Sequence, residues 1–78
     1  MPLSLDATNI LQEVHRRSED NLFWLDDLHA ALDTIAFPTD VIAGLSELAG
    51  LGFARDWGAG LFEVTLNGRR ECWRLFEL

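Results

Sequence analysis

Val41, Leu45, Leu48 and Leu51 recur at the spacing of one face of an α-helix, Gly52 follows at once, and two short strand-like runs come next. Those runs, Phe53–Trp57 and Leu61–Thr65, are joined by Gly58-Ala59-Gly60 and read as a hairpin with a flexible tip. Helix, glycine stop and hairpin in immediate succession leave few ways to fold. A chain of 78 residues makes one domain and buries roughly 60–65% of the surface its unfolded form exposes, so stripe and hairpin must share a single small core. The helix is expected from Pro38 or Thr39 to Leu51, with Pro38 in its first turn, where the missing N–H is not needed. Ile42 and Ala49 widen the apolar stripe, and Gly52 supplies a left-handed stop. In the second run Phe62 and Val64 point one way, Glu63 and Thr65 the other.

Upstream, Asp6 is the expected N-cap of a helix carrying Ile10, Leu11 and Val14, which ends near Arg16-Arg17-Ser18. Ser18 to Asn21 form a polar connector. Leu25, Leu28, Ala31 and Leu32 define a short helix over 25–33, and Asp33 to Phe37 lead into the next one. Residues after Thr65 admit two readings. Asn67-Gly68 is a two-residue hairpin signal that would make Glu71 to Leu78 a third strand. Alternatively, Thr65 caps a final helix with Leu66, Trp73 and Phe76 on one side.

Laid out as helix, helix, helix, hairpin, the chain resembles the winged helix-turn-helix domains of small prokaryotic transcription regulators over nearly all of residues 7–76. Leu45-Ser46-Glu47-Leu48-Ala49-Gly50-Leu51-Gly52-Phe53-Ala54 looks like the end of a recognition helix running into a wing. Val64-Thr65-Leu66-Asn67-Gly68-Arg69 looks like the Leu-Thr-x-x-Gly-Arg signature with which many such wings close. The resemblance implies a mainly α fold with a small β-hairpin (α+β), built as three helices plus a wing, and it favours the C-terminal helix over a third strand. The domain would span 1–78. The resemblance also implies that the third helix reads DNA in the major groove.

The charges oppose that implication. Residues 23–53 hold five acids (Asp26, Asp27, Asp33, Asp40, Glu47) and no Lys or Arg, within a net charge of −7. The expected outward side chains of the third helix are Thr39, Asp40, Ala43, Gly44, Ser46, Glu47 and Gly50, which offer two carboxylates and none of the cations that offset phosphate repulsion. Cations lie elsewhere: Arg16 and Arg17 early, Arg55, Arg69, Arg70 and Arg74 late. They either form backbone-contacting edges or pair with Asp56, Glu63, Glu71 and Glu77 on the surface.

Little here suggests catalysis. His15, His29 and Cys72 are far apart, with no metal-ligand spacing, and no cofactor or small-molecule substrate is implied. Cys72 reads as a half-buried structural thiol. Asp26-Asp27 and Glu19-Asp20 diverge on a helix instead of sharing a proton. The glycines at 58 and 60 lack the Lys-Ser/Thr of a phosphate loop. No apolar run spans a bilayer, the start lacks signal-peptide features, and one thiol suits a reducing compartment, so a cytoplasmic protein is expected.

Aromatics are the informative class, with three Trp and five Phe. Phe23, Phe37, Phe53 and Phe62 are expected in the core. Trp57, Trp73 and Phe76 are expected to remain partly exposed, as anchors for a protein partner. The expected function is therefore non-enzymatic protein association, with a second copy or a foreign protein. Asp40 and Glu47 would steer a basic surface or mimic nucleic acid. The alternative is a DNA-binding regulator holding the backbone through Arg55, Arg69, Arg70, Arg16 and Arg17.

Overall fold

A computed structural model describes residues 3–17, 21–33 and 39–76. Four helices and a three-stranded antiparallel sheet follow one another as α1 (Leu5–Arg16), β1 (Leu22–Trp24), α2 (Leu25–Leu32), α3 (Val41–Gly50), β2 (Ala54–Gly58), β3 (Leu61–Val64) and α4 (Leu66–Phe76). The expectations for Pro38, Phe37, Glu77 and the Ser18–Asp20 part of the connector lie outside the described residues. No described helix is long and apolar enough to cross a membrane.

In α1, Ala7, Ile10, Leu11 and Val14 form a buried stripe at helical spacing. Its N-cap is Ser4, whose hydroxyl oxygen accepts the Ala7 N–H at 3.1 Å, and not Asp6 as the sequence suggested. Asp6 lies within the first turn instead, and its carboxylate accepts the backbone N–H of Asp40 at 3.0 Å. α2 buries Leu28 and Leu32, with Leu25 and Ala31 half-buried.

α3 is capped by Asp40, whose carboxylate accepts the Ala43 N–H at 3.0 Å. Its inward face is Val41, Leu45 and Leu48, as the stripe predicts. At its end the Gly52 N–H bonds to the Ala49 carbonyl and the Phe53 N–H to that of Leu48, while Gly52 takes φ 80°. This is the left-handed glycine stop expected there.

The sheet order is β1-β3-β2. Two strands follow the expected hairpin. β1 is a third, which the sequence did not reveal, and it pairs Leu22, Phe23 and Trp24 with Glu63, Phe62 and Leu61. Ala59 and Gly60, the two loop residues of the hairpin, have φ of 54° and 82°, as the tight turn that matches strand twist requires. Between Asp56 and Gly58 the register shifts, which leaves Trp57 as an extra residue in β2.

One apolar cluster joins all seven elements, from Ile10, Leu11 and Val14 through Phe23, Leu28, Leu45 and Leu48 to Val64 and Cys72. Phe53 and Phe62 are half-buried against it. Burial of each such large side chain stabilises the fold by about 1.5–3 kcal/mol.

Candidate functional site

α3 does not present the face the sequence led us to expect. Glu47 turns back towards α1, where its carboxylate accepts the Ser4 N–H at 2.9 Å. Hydrogen bonds from the Ser4 hydroxyl and backbone hold that carboxyl below its ordinary range. Asp40 is exposed but acts as a helix cap. Gly44 is buried, because α1 crosses there so closely that a Cβ would lie 2.6 Å from Ile10 Cδ1 and 3.1 Å from the Asp6 carbonyl carbon. The carboxylates of Glu47 and Asp6 thus bind α1 to α3, and the outward positions are Ile42, Ala43, Ser46, Ala49 and Gly50. Ile42 is 56% exposed and Leu51 53%, which corrects their placement in the buried stripe; Ala49 is exposed too.

The segment Val64–Arg69 closes the fold. The Thr65 hydroxyl donates to the Gly52 carbonyl at 2.6 Å and accepts the Gly68 N–H at 3.1 Å, so Thr65 caps α4 and the helical reading holds. Gly68 packs directly on the chain before β2: a Cβ there would overlap the Phe53 carbonyl oxygen and lie 2.8 Å from Val64 Cγ1. The Arg69 guanidinium donates to the Val14 carbonyl at 3.0 Å, the Arg17 carbonyl at 3.3 Å and Asn21 Oδ1 at 2.7 Å. It thereby occupies carbonyls at the negative end of α1.

The remaining cations form no continuous positive edge. Arg16 and Arg17 pair with the buried carboxylate of Glu13, at 2.8 and 3.6 Å. Arg74 pairs with Glu71 at 2.6 Å, which holds that carboxyl below its usual range. Arg55 approaches Glu63 at 4.0 Å and lies over the Trp57 ring, 5.4 Å from its centroid. Of the expected pairings, those through Glu63 and Glu71 form, whereas Asp56 accepts the Gly58 N–H at 2.7 Å. Arg70 is exposed and makes no ion pair among the described residues.

The expected aromatic anchors divide between two places. Trp73 and Phe76 lie on α4 against His15 of α1, with ring centroids 6.0 and 5.6 Å from the imidazole. Trp73 is 60% exposed, while Phe76 packs on the core. α4 buries Gly68 and Cys72, and Leu66 is exposed along with Trp73. Cys72 is fully buried, its thiol 3.5 Å from the Leu11 carbonyl, and burial pushes its pKa up.

Trp57 lies instead on the outer face of the sheet. Its indole N–H donates to Glu63 at 3.0 Å. Strand alternation places Leu22 and Trp24 of β1, Leu61 and Glu63 of β3, and Arg55 and Trp57 of β2 on this one face. Trp24 is 54% exposed and Trp57 56%. Sequence reasoning missed Trp24 as a partner of Trp57. The available signal was the apolar run Leu22-Phe23-Trp24, short enough to be taken as a lead into α2.

Among the described residues no three His, Cys, Asp or Glu side chains cluster as metal ligands. The chain matches no known family model, no curated protein and no solved structure.

Proposed function

We propose that this chain is a winged-helix domain, without enzymatic activity, that works by protein association through the outer face of its sheet. A hairpin directly after the third helix and a β1-β3-β2 sheet are compatible with that fold. The observation that carries the functional reading is the pair of half-exposed tryptophans, Trp24 and Trp57, on one face with Leu22 and Leu61. The two indoles alone leave roughly 200–250 Å2 in water, and exposed Trp surface of this kind characterises interface anchors. Among the described residues the face carries one cation and one anion, Arg55 and Glu63, already paired, so these do not add to the repulsion between copies of a chain of net charge −7. A second copy is therefore an acceptable partner there, in the self-complementary manner of two-fold dimers.

Nucleic-acid mimicry is less well supported, because Asp40 and Glu47 each commit a carboxylate oxygen to a backbone N–H, of Ala43 and of Ser4. Of the arginines that DNA binding would use, Arg16, Arg17, Arg55 and Arg69 are engaged within the chain, which leaves Arg70 as the exposed one without an ion pair among the described residues.

Light scattering on size-exclusion fractions tests the reading. The wild-type protein is expected to show a mass that rises with concentration, and Trp24→Ser/Trp57→Ser is expected to remain a monomer. A wild-type monomer at every concentration would remove the second copy as partner. Binding to random duplex DNA at low salt, weakening steeply as salt rises, would overturn the association reading in favour of a regulator.

A further inference from the structure

The outward side of α3 faces the sheet across an open groove of about 300 Å3. Ile42, Ser46 and Ala49 form one wall, and Leu25 and Phe62 the other. Asp56 stands at its edge. Leu25 and Gly60 also border a second depression, lined by Trp24, Asp26 and Ala59, so the two hollows adjoin at the start of α2. Their described lining is mainly apolar, with carboxylates at Asp56 and Asp26 and no Lys or Arg.

We propose that this groove receives a short amphipathic helix of another protein, with apolar side chains between Ile42 and Phe62 and Lys or Arg towards Asp56 and Asp26. The proposal extends the association reading to a second surface, and it rests on that reading in taking the ligand to be a protein. Charge chooses the occupant. Among the described residues the charged groups lining the two hollows are the carboxylates of Asp56 and Asp26, with no Lys or Arg, so a cationic helix is attracted and nucleic acid is repelled. A second copy has little to offer here, since five of its six arginines are bound within the chain. A small polar metabolite fits poorly as well, because among the described residues Ser46 and Asp56 are the only polar side chains lining the larger hollow, whereas such sites fix orientation with several convergent polar groups. An apolar trough beside a helix is the geometry in which amphipathic helices dock.

The probe is a fluorescein-labelled synthetic helix of alternating Leu and Lys faces, titrated by fluorescence anisotropy. Two controls match it in length: one with Glu for Lys, the other with Ser for Leu. The Leu/Lys peptide is expected to bind at least tenfold more tightly than either control. Ala49→Arg, which fills the groove and offsets part of its negative charge, is expected to weaken binding at least tenfold, as is Ser46→Arg. Asp56→Asn with Asp26→Asn is expected to weaken it several-fold, whereas Asp33→Asn, outside the groove, has no effect. Circular dichroism establishes that each variant is folded. Equal affinity for the Ser/Lys control, or affinity unchanged in both folded arginine variants, would overturn the proposal. Trp57→Ser is expected to bind the peptide like wild type. Loss of self-association without loss of peptide binding, or the reverse, therefore separates this inference from the proposed function.

Discussion

α4 and the outer face of the sheet both carry tryptophan and arginine, yet the two regions differ in what their side chains do. On α4 the special residues are consumed internally: Thr65 caps, Gly68 admits the Phe53 carbonyl, and Arg69 fastens the end of α1. On the sheet face, Trp24, Trp57 and Leu22 stand in water with one ion pair among them. The contrast teaches that the segment most like a DNA-binding signature is spent on closing this fold. The surface free to act is one that no motif marked.

The largest effect that tests this contrast concerns Gly68. Gly68→Ala is expected to destabilise the protein by about 3 kcal/mol in urea titration, because the obstructing atom is a backbone carbonyl that cannot swing aside. A loss under about 1 kcal/mol would show that α4 is not seated so closely. Next comes Arg69→Met, which leaves two carbonyls and Asn21 without their charged donor and is expected to lose about 2 kcal/mol. Arg70→Met on the same helix is expected to change stability by less than about 0.5 kcal/mol. Equal losses from the two would erase the distinction between clasp and surface.

The sheet side predicts smaller changes. Ala59 holds φ 54°, which is costly for an L-residue, so Ala59→Gly is expected to stabilise the hairpin by about 0.5–1 kcal/mol in the same titration. Smallest and most specific is a pH effect at Glu47. Its pKa is lower in the folded chain, so its contribution is present above the ordinary carboxylate range and disappears as pH falls through the folded value. The urea midpoints of wild type and Glu47→Gln should therefore differ at neutral pH and converge on acidification. A gap that persists at low pH would mean that the carboxylate charge is not what joins α1 to α3.

Much of this architecture was legible in the residues. The α3 stripe, the stop at Gly52, the hairpin tip and the cap at Thr65 all rest on interactions within a few residues, whereas the start of α3 lies at Val41, capped by Asp40, and not at Pro38 or Thr39 as expected. Two kinds of feature were not. Ile42, Ala49 and Leu51 are apolar on more than one side of a helix, and periodicity alone does not say which side meets the core. β1 is three residues long and becomes a strand only by pairing with β3. For that reason Trp24 could not be matched with Trp57 in advance.

The sequence by itself determined where the chain turns helical, where it stops and where it reverses, since these depend on neighbouring side chains and backbone preferences. Only the tertiary structure decided what the charges do. Glu47 finds Ser4 across 43 positions and Arg69 finds Val14 across 55. Such contacts exist once packing has brought distant segments to hydrogen-bonding range, and no local pattern encodes them. The same packing turned Glu47 towards α1 and left Ile42 and Ala49 facing the groove.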